Sequence, residues 1–229
     1  GGRPVTPAGA LRRVNWRRQT WLLAAAMLAV LFAVNWGLQP RLIEGRVLVS
    51  TLQTAVPLIL LAIGQTYVVL AGDIDLSVGS TVSLVNVTAI AVFQAAGMDG
   101  AAIAAGMAAA VAVGLGCGLV NGIAVALLRF QPIVATFATS IVFGGLALWI
   151  LPQAGGQAPA DYWRSYTARP AGLPTVVWIV LAAFAFVLVL QRSRFHFRLI
   201  ALGGRRQAAF QTGLSVVRHR IGAYLLCGL

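Results

Sequence analysis

The chain has 229 residues, of which 59% are hydrophobic and 10% charged, with a mean hydropathy of +0.87; soluble domains carry about a quarter charged residues, so a soluble globular fold is excluded. The net charge of +12 comes from 17 basic residues, all of them arginine, and these fall in the gaps between apolar runs rather than on a basic face. That pattern excludes nucleic acid as a partner and describes an all-α, polytopic transmembrane helical bundle in a lipid bilayer.

A helix needs about 20 apolar residues to cross a bilayer, and six spans are predicted on that length: Thr20–Leu38, Val47–Ala71, Leu76–Ala96, Ala101–Leu128, Pro132–Leu151 and Thr175–Leu190. A seventh apolar run begins near Ile221 and stops at Leu229, too short to cross, which makes the expected domain (1–229) one transmembrane unit incomplete at its C-terminal end. The first span has the basic start of a secretory signal, but it is longer than an h-region and no clear small-x-small site precedes Arg41, so an uncleaved helix is expected. Arginine in short loops sets orientation. With the N-terminus in the cytoplasm, thirteen arginines lie inside: Arg3, Arg12, Arg13, Arg17, Arg18, Arg129 and seven over Arg192–Arg220. Four lie outside: Arg41, Arg46, Arg164 and Arg169.

Within the spans, Pro57 is expected to bend the second helix, because it removes a backbone donor. Gly114, Gly118 and Gly122 stand four apart on one helical face and suit close helix packing, with Asn121 beside them to hydrogen-bond across helices. Cys117 and Cys227 read as small buried hydrophobes, with no disulfide framework and no metal site suggested.

The stretch Gly72-Asp73-Ile74-Asp75-Leu76-Ser77-Val78-Gly79-Ser80 places two carboxylates between apolar runs. An aspartate at mid-bilayer costs about 2.5–3.5 kcal/mol on insertion scales, so such groups face protein, water or a cation. Two readings stand: a turn in which Asp75 or Ser77 caps the next helix, or a segment that gates a path or touches cargo. Its wording resembles the Gly-Gly-Ile-Asp-Leu-Ser-Val-Gly-Ser segment of the permease subunits of bacterial ATP-binding-cassette importers of the ribose and xylose type. Two further stretches carry the resemblance. Asn121-Gly122-Ile123 followed by Arg129 to Ala138 is similar to the family's Asn-Gly stretch and its Pro-Phe-Ile-Val-Thr-Leu run, with Gln131 before Pro132 and Ala135 intruding. Arg198 to Gly213 resembles its Arg-x-x-Ala-x-Gly-Gly-Asn-x-x-Ala-Ala-x-x-x-Gly segment, with Arg205 replacing Asn.

The resemblance implies that residues 192–220 are a cytoplasmic coupling segment, with Arg198, Gly203, Gly204, Arg205, Arg206, Gln207, Ala208, Ala209 and Gly213 meeting a separate ATP-binding-cassette ATPase. Without it, the segment reads as a solvated basic loop. The resemblance also implies a second permease copy and a periplasmic sugar-binding protein. That protein's expected docking surface is Gln153–Leu173, the longest outside loop, through Trp163 and Arg164, although its aromatics also suit an interfacial belt. No phosphate-binding loop occurs and no lysine is present to complete one, so the chain is expected not to be an enzyme. It would carry no cofactor of its own, ATP and Mg belonging to the partner ATPase. The implied function is import of a sugar or small polyol across the bacterial inner membrane. The alternative is an ion-coupled secondary transporter or channel-like pore that uses Asp73 and Asp75.

Overall fold

The computed structural model describes residues 21–153, 155–204 and 214–229, and the chain divides into two compact units, Gly1–Ser50 and Thr51–Leu229. Helix α1 (Trp21–Leu38) belongs to the first. It is apolar on every side, the composition of a helix that can lie in lipid. Pro40 opens the 3-10 turn Pro40–Ile43 that follows, where a missing N–H costs nothing.

Helix α2 (Gly45–Leu70) begins in the first unit and continues into the second, which holds α3 (Val78–Ala95), α4 (Gly100–Gly122), α5 (Pro132–Ile150), α6 (Ala160–Thr167), α7 (Thr175–Arg192), α8 (Arg194–Gly204) and α9 (Val216–Gly228). Among the described residues, five helices are long and apolar enough to cross a membrane: Gly45–Leu70, Val78–Ala95, Gly100–Leu127, Pro132–Ile150 and Thr175–Arg192. The first expected span appears as a shorter apolar helix, Leu22–Leu38.

Local chemistry explains the joints. Pro57 stays inside α2 without ending it. Proline has no N–H to offer the carbonyl four residues back, and Tyr166 of α6 donates its hydroxyl to that carbonyl of Gln53 at 2.8 Å instead. Gly72, at φ 79°, ends α2. The N–H of Gly72 reaches Val69 O and that of Asp73 reaches Val68 O, the paired bonds of a glycine-terminated helix. Asp99 starts α4, its Oδ1 accepting the Ala102 N–H at 2.8 Å. The last turn of that helix widens into a π-helical stretch, Ile123–Leu127.

In the second unit α3 packs on α4 and α5, and α9 packs along α4. The glycine face makes the latter approach close. A Cβ at Gly114 would collide with the Gly228 carbonyl and one at Gly118 with the Tyr224 carbonyl, while at Gly122 it would come within 3.0 Å of Ile221 Cα. The buried residues are mostly small, such as Ala89, Ala110, Ala135 and Ala147, whereas Trp149 is 80% exposed and Phe184, Leu148 and Val189 also face outward. This inversion of the soluble pattern suits a bundle held by close backbone contact in lipid.

Two boundaries differ from the sequence reading. Helix α9 starts at Val216, not near Ile221, so residue 220 lies inside a packed helix instead of ending a solvated segment. The expected outside loop carries the helix α6.

Candidate functional site: a polar cluster beneath a membrane cavity

The turn after α2 is a knot of satisfied polar groups. Asp75 Oδ1 accepts from the Ser77 backbone N–H at 2.8 Å and from the Ser77 hydroxyl at 2.7 Å. Ser77 Oγ accepts from Asn121 Nδ2 at 2.7 Å, and Asn121 Oδ1 accepts from Thr139 Oγ1 at 2.6 Å. The result is a directed chain of hydrogen bonds from α5 through α4 and α3 to a carboxylate, in which each donor polarises the next. Gln65 on α2 donates Nε2 to the Asp75 carbonyl at 2.7 Å. Thr136 on α5 accepts the Leu76 N–H at 3.0 Å and donates to Pro132 O at 2.9 Å. Burial pushes the Asp75 carboxyl up from its ordinary value, while the bonds from Ser77 and Asn121 pull it down. Ser77 stands at the N-cap position of α3 but its side chain makes no cap bond; Asp75 holds the Ser77 N–H just before the helix instead.

Asp73 is engaged differently. Arg220 Nε meets Asp73 Oδ2 and Nη2 meets Oδ1, both at 2.8 Å, and Nη1 donates to Val125 O at 3.2 Å. Arginine was expected at 220 as one cation of a cytoplasmic segment; the structure instead buries it, 8% exposed, against an aspartate 3% exposed. Sequence separation of 147 residues hid the pair. The only local hint was an arginine one residue before an apolar run.

Above this cluster lies a cavity of about 460 Å³ whose polar lining comprises Asp75, Thr81, Asn86, Asn121, Tyr162 and Cys227. A second of about 480 Å³, lined by Phe93, Gly156, Gln157 and Trp163, shares Asn86, Ala89, Met107 and Tyr162 with it. Together they run along α3 from the Asp75 turn to α6. Asn86 stands at their junction and was missed in the sequence, although an amide inside an apolar span is a signal of the same kind as Asn121.

The other expected residues fall in three places. Gly79 lies in the first turn of α3 with open space beside it. Trp163 and Arg164 are exposed on α6, where Arg164 pairs with Asp161 at 2.8 Å and Phe93, Tyr162, Trp163 and Tyr166 form a run of ring contacts. Arg198 is exposed on α8, whose opposite face buries Leu199 and Leu202 against Tyr67, Ala71 and Ala223. Gly203 of that helix rests on the Leu70 carbonyl, where a Cβ would collide, and Gly204 meets open space. Arg205, Arg206, Gln207, Ala208, Ala209 and Gly213 lie outside the described residues. The structure thus gathers the Asp73–Ser77 turn, Asn121 and the glycine face of α4 around one end of the bundle, with α8 beneath and α6 at the far end.

Apolar helices around a mostly apolar cavity with a few polar groups in its wall, with Asp73 paired to Arg220 and Asp75 hydrogen-bonded inside, define a multi-pass membrane permease. The chain belongs to the family described as the branched-chain amino acid transport system / permease component, whose family model matches residues 47–229. It is 32% identical over 220 residues to the ribose import permease protein RbsC of Escherichia coli K12, covering 92% of this chain and 67% of that one. It is 26% identical over 222 residues to the autoinducer 2 import system permease protein LsrD of Salmonella typhimurium LT2, covering 93% of this chain and 66% of the other. The chain therefore spans about two thirds of the length of these curated relatives. No solved structure matches it. Its permease relatives and five apolar spans place it in the inner membrane as a multi-pass protein.

Proposed function

We propose that this chain is the membrane-spanning subunit of an ATP-driven importer that carries a sugar or small polyol into the cytoplasm by alternating access. A separate ATPase holds the ATP and Mg and pushes on the segment that includes α8 and residues 205–213. A periplasmic binding protein delivers the cargo at α6, and a second permease copy completes the assembly. The chain itself does no catalysis. Arginine bias supports an N-terminus in the cytoplasm, which puts α8 and the Asp73–Ser77 turn on the inner side and α6 on the outer.

The observation that carries this reading is the lining of the cavity beside Asp75. Among the described residues its polar groups are hydroxyls, amides, a thiol and the Asp75 carboxylate, with no arginine or histidine. An amino acid would bring a carboxylate that such walls leave unpaired beside Asp75, at a cost in desolvation. A neutral polyhydroxylated molecule of a few carbons finds donors and acceptors there, in a volume of the usual size for small ligands. The import permease relatives named for ribose and autoinducer 2 support the same choice. An ion-coupled mechanism needs a carboxylate that exchanges partners with a cation, whereas Arg220 grips both oxygens of Asp73 and Ser77 bonds Oδ1 of Asp75.

The test is uptake into proteoliposomes holding the full-length permease, its ATPase and its binding protein, against a panel of pentoses, hexoses, polyols and leucine. At least one sugar or polyol is expected to accumulate, only with ATP. Accumulation of leucine alone, uptake driven by a proton or sodium gradient without ATP, or no uptake at all would overturn the reading.

A further inference from the structure

Three helix ends meet at Arg220. Asp73 follows the last turn of α2, Val125 lies in the π-helical close of α4, and Arg220 stands in the second turn of α9. The guanidinium holds both Asp73 oxygens at 2.8 Å and the Val125 carbonyl at 3.2 Å. For simple cohesion an apolar residue would serve as well, because a buried ion pair often contributes no more than hydrophobic packing of similar volume. What the pair adds is geometry: a planar fork bound at two points resists sliding and rotation, which a lysine ammonium does not. Val125 lies in the π stretch that closes α4, where a helix C-terminus presents its carbonyls and a cation is favourable.

The same three ends touch α8. Leu199 and Leu202 pack on Tyr67 and Ala71 of α2 and its following residue, and on Ala223 of α9, while Phe195 stacks on Tyr67 and on His219 with centroids 6.3 and 6.1 Å apart. On the other side of the pair, Asp73 is two residues from Asp75, which lines the cavity floor. We propose that Arg220 is a positioning residue for transport: it locks α9, the Asp73–Ser77 turn and the end of α4 into one body, so that displacement of α8 reaches the cavity floor undiminished. This rests on the importer reading above, in which α8 belongs to the segment moved by the ATPase.

Cys227 lines the cavity, whereas Cys117 is buried, so a full-length permease with Cys227 as its single cysteine reports the cavity's opening. The complex with its ATPase is treated with a small methanethiosulfonate reagent, with and without Mg-ATP and vanadate. In the unaltered pair, nucleotide trapping is expected to change the reaction rate at Cys227 by about threefold or more, the scale of a modest coupling energy. In Arg220→Lys, and in the neutral pair Asp73→Asn with Arg220→Gln, that change is expected to vanish while ATP hydrolysis continues. The neutral pair removes the cost of an unpaired buried charge, so it separates loss of transmission from loss of fold. An undiminished change in either variant overturns this inference alone. No change in the unaltered permease overturns the importer reading and this inference with it. Failure of both variants to assemble with the ATPase makes the pair a folding element and also overturns the inference.

Discussion

Asp75 illustrates how much one atom can carry. A single oxygen, Oδ1, accepts both the backbone and hydroxyl protons of Ser77. An asparagine oxygen can accept the same two bonds, so Asp75→Asn is expected to lower stability by less than about 1 kcal/mol. Asp75→Ala leaves the buried Ser77 N–H without that acceptor and is expected to cost about 1–3 kcal/mol. Thermal unfolding of the purified protein in detergent measures both, and equal losses would show that charge, not hydrogen bonding, holds the turn. Asp73 obeys a different rule, because its partner is a charge: removing Arg220 alone strands a buried carboxylate, a loss of about 3–5 kcal/mol. Two aspartates two residues apart in the sequence thus differ in kind, one holding a turn through hydrogen bonds from neutral donors and the other half of an ion pair.

Among the elements, α4 and α9 show the clearest dependence on small residues. Gly118 meets the Tyr224 carbonyl, whereas Gly116, on the same helix, has nothing within 4 Å. Gly118→Val should therefore force the two helices apart and cost about 1–3 kcal/mol as overpacking. Gly116→Val should be close to neutral. Unfolding midpoints in detergent decide this, and equal shifts would remove the steric account. At the opposite end, α6 closes the hydrogen bond that Pro57 leaves open in α2. It presents Trp163 and Arg164 outward, where the Arg164–Asp161 pair at the surface contributes little. Exposure there suits reception of a soluble protein, as the proposed function requires. Helix α8 is amphipathic in the ordinary way: Arg194 and Arg198 are exposed, and Leu199 and Leu202 buried. Its apolar side is what fastens a basic segment to α2 and α9.

For the whole molecule, orientation is the property that decides which end of the cavity meets which partner. In a background lacking Cys117 and Cys227, a cysteine at Asp161 should react with an impermeant maleimide in cells whose inner membrane is intact. One at Arg129 should react only after that membrane is opened; the reverse would invert the map and move the cavity floor to the outside. Hydrophobic length made the helical, membrane-spanning class and five of the six expected spans legible from sequence alone, because a bilayer imposes length; the start of the last helix was not, and the inner-membrane setting came from the family resemblance. Spacing of four also made the shared face of Gly114, Gly118 and Gly122 legible, since helix geometry is local. The identity of what covers that face was not, and neither was the Arg220–Asp73 pair, the Asn121–Ser77 bond across 44 residues or the place of Asn86 between two cavities. Those follow from which helix ends converge in space, and packing alone selects that convergence, through the exclusion of Cβ atoms at glycine and the need of every buried charge for a partner.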